Sequence, residues 1–281
     1  MIKVLKIITL CIIFILISCN NSKTENTSEK IIVATQGQHP LFSQIGADGQ
    51  LEGYDIDVWE EIGRRLNRKI EWRQIDLTGG FGELELGKLD TLTQQISITP
   101  SRMEKYYFAE PYFLSPYKLY VAETNESINK IEDLFGKTLA VTIQEAAVEH
   151  LKGLDPSGKI KLETFSPEAR SGIPLLVQNG KIDASQDAAI IFEELKNATG
   201  AKIKMVGEPL FTEVNSFPFR KDEEGKKLCD EVSKVIVEMR EDGTLEELAI
   251  KWFGYNPMEG LDANEALDRL LEQYRRNGLI K

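Results

Sequence analysis

Glu85-Leu86-Gly87-Lys88-Leu89-Asp90 and Gln178-Asn179-Gly180-Lys181-Ile182-Asp183 are the same six-residue design written twice in one chain. In each, glycine stands where helices commonly end. The apolar residue and aspartate that follow open a strand. The first strand runs from Leu89 towards Ile96 and leads to Gln94, Gln95 and Ser97. The second leads to Ser185, Gln186 and Asp187. A helix-to-strand connector used twice, with polar residues beyond each strand, implies two similar α/β lobes. In open parallel sheets ligands collect outside the carboxyl ends of the strands, so the two polar clusters are expected to face one cleft.

The flanking sequence extends this alternation. Ile31 to Ala34 is a candidate first strand, and Val58, Ile62 and Leu66 mark a helix face from Asp57 to Leu66. Lys69 to Ile75 alternates as a strand, and a helix around Gly82 to Leu86 is predicted to stop at Gly87. After Pro111 and Pro116, Tyr117 to Ala122 reads as a strand leaving the first lobe. A second α/β unit runs from Leu139-Ala140-Val141 to about Val206, and Ser216 to Phe219 carries the chain back. Helices are expected over Gly225 to Glu241 and Thr244 to Trp252. Thr244-Leu245-Glu246-Glu247 reads as a capping box at the start of the second. Residues 257–281 read as an acidic-to-basic helix with Ala263, Leu267, Leu270, Leu271 and Tyr274 on one side, expected to pack against a lobe, the alternative being a surface for a partner. The fold class is α/β with largely parallel sheets.

The N-terminus addresses the compartment. Lys3 and Lys6 precede an apolar run from Ile7 to Ile17, too short to span a membrane but suited to a secretory signal. Leu16-Ile17-Ser18-Cys19 resembles a bacterial lipobox, which would lipidate Cys19 and remove residues 1–18. Residues 19–29 read as a polar tether. Without the signal, 45 acidic and 32 basic residues leave a charge of −13. That argues against nucleic acid, whose binders carry basic faces. Cys11 departs with the signal and Cys19 would carry the lipid, so Cys229 is the one free cysteine left and no disulfide framework is expected. It falls among Leu228, Val232, Val235 and Met239, where a buried inert thiol is expected. With only His39 and His150 in the chain, no metal site and no cofactor are expected.

Thr99-Pro100-Ser101-Arg102 carries the most chemistry. Threonine is a good N-cap and proline is favoured in the first helical position, so a helix starts here. Arg102 then lies beside free amides at the positive end of that helix. With Ser97 and Thr99 as hydroxyl donors, it forms a corner suited to a carboxylate. The structural alternative is a surface arginine paired with Glu104 or Glu110.

Several segments together resemble a known family: Gly53-Tyr54-Asp55-Ile56-Asp57-Val58, Ser97 to Arg102, Phe108-Ala109-Glu110-Pro111-Tyr112 and Asp133-Leu134-Phe135-Gly136-Lys137, with both connectors, Asp242-Gly243-Thr244-Leu245 and Lys251-Trp252-Phe253-Gly254. In order and spacing, residues 30–256 are similar to the family-3 extracellular solute-binding proteins of polar amino-acid ABC importers. The resemblance implies a periplasmic-binding-protein type 2 fold with two hinge crossings. Lobe 1 would comprise residues 30–118 and 216–256, lobe 2 residues 119–215, and 257–281 would be an added extension. It also implies a monomer in the cell envelope, anchored at Cys19, that closes on a small polar solute and presents it to an ABC permease.

Carried over by position, Arg102 and Ser97 would hold an α-carboxylate, and Gln95 would offer backbone or amide contacts. His39 stands where the family has a stacking aromatic, with Phe42 in support. Leu77 and Phe81 fall on the lobe 1 wall. Asp187 resembles the residue that receives the α-ammonium group, its alternative being an N-cap for Ala188 to Leu195. The chain departs from the family at Gln144-Glu145, where glycine and a hydroxyl residue are usual. Thr142-Ile143-Gln144-Glu145 reads as a capping box, or Glu145 meets a cationic ligand group. Gln36, Gln94, Gln95, Gln144 and Gln186 all fall near the inferred cleft. Two rival functions remain open. One is a sensor acting through a separate membrane protein. The other is a dehydratase-like enzyme with Glu145 as its acid, unsupported by any nucleophile–base pair.

Overall fold

The computed structural model describes residues 30–142, 147–276 and 278–281, and in it the two connectors superimpose in every hydrogen bond that matters. Gly87 and Gly180 take φ of +69° and +66°. Their amides donate to Leu84 O and Val177 O, both at 3.0 Å, and the next amides, Lys88 and Lys181, donate to Glu83 O and Leu176 O. This paired pattern closes a helix through a left-handed glycine. The aspartates then do the same job. Asp90 Oδ2 accepts from Ile32 N and Asp183 Oδ2 from Thr138 N, each at 2.7 Å. Each carboxylate thereby anchors the start of the neighbouring parallel strand, which is why the sequence echo extends to the sixth residue.

The first lobe begins with β1 (Ile31–Thr35) and a small antiparallel flap of β2 (Gln38–His39), β3 (Ser43–Ile45) and β4 (Leu51–Glu52). Helix α1 (Tyr54–Leu66), β5 (Ile70–Gln74), α2 (Leu77–Glu85) and β6 (Thr91–Leu92) follow. The strands pair in parallel in the order β5-β1-β6. The last strand is shorter than predicted, because Thr93 to Ile98 turn out of the sheet towards the cleft. Gly53 before α1 is required by geometry: its φ is +139°, and a Cβ there would meet Phe42 O at 2.2 Å. The lobe core is built on Trp59, Tyr54, Tyr112, Phe113, Phe217 and Phe219, all fully or almost fully buried.

Helix α3 (Pro100–Lys105) and β7 (Tyr106–Phe108) lead to β8 (Phe113–Ala122), the first crossing. The second lobe adds β9 (Thr138–Thr142), α4 (Ala147–Leu154), β10 (Lys161–Phe165), α5 (Ile173–Gln178), β11 (Ala184–Ala188) and α6 (Phe192–Thr199). The return crossing is β12 (Ile203–Asn215), followed by β13 (Pro218–Arg220), which pairs with β7. The five-stranded sheet runs β10-β9-β11-β8-β12, with β12 antiparallel to β8 from Ile203↔Ala122 to Asn215↔Phe113 and a register shift between Val206 and Phe211. Apolar clusters cover its two faces, one around Leu119, Val141 and Leu151, the other around Tyr120, Ile173 and Ile203.

Helices α7 (Glu223–Glu241) and α8 (Thr244–Phe253) return to lobe 1, and Asp57 Oδ2 accepts from both Lys251 Nζ and Trp252 Nε1 at 2.6 Å. Cys229 is buried in α7, which pushes its thiol up to about 11. One expectation is corrected. Thr244 is not the N-cap of α8; Gly243 caps it at φ +83° without a side-chain bond. The threonine hydroxyl instead donates to Asp242 Oδ1 and accepts from Arg65. Helix α9 (Ala263–Arg276) packs its Leu270 and Tyr274 on Ile98, Leu114 and Val214, at the back of both crossings. Tyr274 OH donates to Ile98 O at 3.1 Å and meets His150 Nδ1 of α4 at 3.4 Å, so α9 touches both lobes.

Candidate functional site

A cavity of about 680 Å³ lies between the lobes, within the usual range for a small-molecule site. Lobe 1 contributes Gln36, His39, Leu77, Gln94, Gln95, Ser97 and Arg102, lobe 2 contributes Thr142, Ser166, Arg170 and Ala188, and the crossings contribute Ser115, Tyr117 and Glu213. The lobes also touch outside it, where Ser101 Oγ donates to Glu149 Oε1 at 2.7 Å.

The loop that presents Gln95 is held from beneath. Asp55, fully buried in the first turn of α1, accepts from Gln95 N and Nε2 and from Tyr112 OH. Burial raises its pKa to about 6 against those bonds. Gln95 adopts φ +52°, a left-handed conformation uncommon outside glycine. Its O accepts from Asn215 Nδ2 at 3.0 Å. The Gln95 side chain is therefore mainly a brace of the loop. Gln94 turns the other way and exchanges two amide bonds with Gln36 at 3.1 and 3.2 Å.

The structure places Thr99 as the N-cap of α3, its hydroxyl accepting from Arg102 N at 3.3 Å. Thr99 is buried there and is not part of the cavity wall. Arg102 reaches back so that Nη1 donates to Ser97 O at 2.9 Å, and its guanidinium lies 5.4 Å above the Phe81 ring. Burial lowers its pKa while Glu213 and Glu149 work to raise it. Phe81 is thus a platform beneath Arg102, stacked in turn on Tyr106 at 5.0 Å, and the wall position belongs to Leu77. His39 meets Phe42 edge-on at 5.0 Å. Burial, and next the charge of Arg170, pull its pKa down to about 4.

Two charged residues were not anticipated. Arg170, on a short 3₁₀ segment of lobe 2, donates through Nη2 to Asp187 Oδ1 at 2.8 Å and Oδ2 at 3.0 Å. Asp187 also accepts from Ala188 N, and lines a smaller recess shared with Gln186 and Thr142 rather than the main cavity. It does not cap the following helix, since Ala188 takes that position without a side-chain bond. Glu213, 5% exposed on β12, lines the main cavity, and its Oε2 accepts from Ser97 Oγ at 2.5 Å. Alternation along β12 was the available signal, with Phe211, Glu213 and Asn215 on one face. Cys19, Gln144 and Glu145 lie outside the described residues.

The comparisons with known proteins agree with this geometry. The family model of the bacterial extracellular solute-binding proteins, family 3, matches residues 31–255. The chain belongs to this family. PatH of Vibrio harveyi, named as an amino-acid ABC transporter-binding protein, is 37% identical over 234 residues, covering 83% of this chain and 92% of that protein. The L-cystine-binding protein TcyJ of Escherichia coli K12 is 28% identical, covering 80% and 82%. Among solved structures, an ancestral arginine-binding protein bound to arginine matches with a TM-score of 0.67 at 28% identity, covering 81% of this chain and 99% of its own. The family's two-lobed type 2 fold is therefore that of this chain, and its members are binding proteins. No helix among the described residues is long and apolar enough to cross a membrane. Helix α9 lies beyond the segment that the family model matches.

Proposed function

We propose that this protein captures an amino acid or a similar small polar solute between its lobes and delivers it to an ABC importer. Arg102 carries the reading. It is a guanidinium held by Ser97 O and Phe81, lining a cavity between lobes, at the first turn of a helix capped by Thr99. Such a fork is the preferred partner of a carboxylate. Gln36, His39, Leu77 and Thr142 supply the mixed polar and apolar walls that a zwitterion with a side chain requires. The relatives named for amino acids and for cystine support the same class of solute.

The function is read as binding without chemistry, in keeping with a family of extracellular solute-binding proteins and with relatives named for binding. The chain acts as a monomer in the cell envelope, facing the periplasm or the exterior, with residues 1–18 removed, Cys19 lipidated and residues 19–29 as a tether. Lobe 1 comprises residues 30–118 and 216–256 and lobe 2 residues 119–215, with solute favouring the closed arrangement because both lobes contribute contacts.

Calorimetry over the twenty amino acids, L-cystine and glutathione tests this. At least one should bind wild-type protein. Arg102→Ala should then weaken it by about 30-fold to several thousand-fold, the cost of about 2–5 kcal/mol for stranding a buried charge. Arg102→Lys, which keeps the charge without the fork, should fall between. Near-wild-type affinity in the alanine variant would remove Arg102 from the site.

A further inference from the structure

Helix α9 lies behind the wall that faces the solute. Ser97, Arg102, Ser115 and Glu213 line the cavity. Their chain neighbours Ile98, Met103, Leu114 and Val214 pack with Leu270 and Tyr274 of α9. In β8 and β12 this follows from alternation. Ser115 stands opposite Glu213 in the ladder and Leu114 opposite Val214, so one pair faces the cavity and the next faces the helix. Leu270 and Tyr274 are both buried and stand four positions apart, on one face of α9.

The contact is polar at one point. The backbone from Ser97 to Thr99 makes two peptide units, and each is pinned. In the first, Ser97 O accepts from Arg102 Nη1 at 2.9 Å and Ile98 N donates to Val214 O at 2.9 Å. In the second, Ile98 O accepts from the Tyr274 hydroxyl at 3.1 Å. Peptide units are planar, so two dihedrals at Ile98 are all that separates them. The carbonyl that aims the guanidinium is therefore held in part by a hydroxyl from beyond the residues that the family model matches. Tyr274 is steadied from lobe 2, where His150 of α4 lies 3.4 Å from its hydroxyl and stacks on Phe211 at 4.6 Å.

We propose that α9 braces the solute-binding corner from behind, and that Tyr274 is the positioning residue through which it acts on Arg102. A guanidinium recognises a carboxylate by two parallel bonds, a geometry that tolerates little rotation. Loosening the Ile98 carbonyl lets Ser97 O and the fork shift together, so affinity falls although no ligand contact is removed. Leu270 acts in the same direction through Leu114 and Val214, which lie next to Ser115 and Glu213 in their strands. This inference rests on the proposed amino-acid site and adds a determinant of its affinity that stands outside the cavity.

The probe is the member of the calorimetric panel (twenty amino acids, L-cystine, glutathione) that binds wild-type protein most tightly. It is titrated into variants that urea titration shows to be folded in the same buffer. Tyr274→Phe, which keeps the ring, should weaken binding by about 3-fold to 30-fold, the range for substitutions that act on a site without touching its ligand. Val232→Ala opens a void in the lobe 1 core away from the cavity wall. Despite its own loss of stability it should leave affinity within about twofold. A double variant separates positioning from stability. Beside Arg102→Lys, which has already lost the paired geometry, Tyr274→Phe should cost less than about twofold more. Three results would each overturn the brace: wild-type affinity in Tyr274→Phe, an equal loss in Val232→Ala, or an undiminished cost of Tyr274→Phe beside Arg102→Lys. Should no panel member bind wild-type protein, the proposed function itself fails, and the brace with it.

Discussion

Replacing Tyr274 by phenylalanine asks whether α9 is part of the fold or merely attached to it. Tyr274 is 1% exposed, and its hydroxyl serves two groups that no solvent reaches. It donates to Ile98 O at 3.1 Å, and it lies 3.4 Å from Nδ1 of His150, whose Nε2 has no partner among the described residues. The substitution keeps the ring, which packs 5.9 Å from the imidazole, so only polar satisfaction changes. A buried group stripped of its partner costs about 1–3 kcal/mol, and the Ile98 amide keeps its own bond to Val214 O. A loss of about 2 kcal/mol is therefore expected, seen as a Tm lower by about 4–8 °C for a chain of this size. Tyr274→Ala should cost about 3–5 kcal/mol, because it also opens a cavity against Leu114 and Val214. Urea titrations at pH 7 of both variants provide the measurement. Stability within 0.5 kcal/mol of wild type for Tyr274→Phe, together with less than 1 kcal/mol for Tyr274→Ala, would refute the packing argument for α9.

Two further outcomes follow from other parts of the chain. His39 and His150 stay neutral in the fold down to about pH 4, so unfolding takes up protons below 6.5 and stability falls as pH drops through that window. Asp55 holds its proton to about pH 6 and contributes the opposite trend between about 4 and 6. Each shift is worth about 3 kcal/mol, so the two histidines together outweigh the one aspartate. The urea midpoint should be higher at pH 6.5 than at pH 4, and a midpoint that rises on acidification would contradict these assignments. The lipid anchor is tested in bacteria: Cys19→Ser should abolish labelling by palmitate and release the protein from membranes, and undiminished labelling would exclude the lipobox.

The parts of the fold that were legible are those decided within a few residues. Each connector needs one left-handed glycine, one apolar residue and one aspartate, and all three are local in sequence. Thr99-Pro100 likewise announces its helix, and Arg102 with it. Partners across the chain were not legible. Glu213 meets Ser97 over 116 positions, and only the ladder register of β12 against β8 brings them together. Arg170 sits in a polar segment without periodicity, so its pairing with Asp187 had no signal. Thr244 misled because its hydroxyl donates to Asp242, ahead of the helix, and Thr99 because it is buried as the cap of its helix and does not line the cavity.

The register shift between Val206 and Phe211 has a mechanical consequence for the cleft. An interrupted ladder bends and twists locally, and it lacks there the hydrogen bonds that hold the intact stretches in register. Glu213 and Asn215 lie in the stretch of the return crossing after that joint, where both bond Ser97. Arg170 and Asp187 lie on the other side and are tied to each other. Flexing at that joint would change the gap between these two bonded groups more than the distances within either of them. On the proposed reading, a solute held between the lobes would be selected partly by how its distal end spans the gap that such flexing sets.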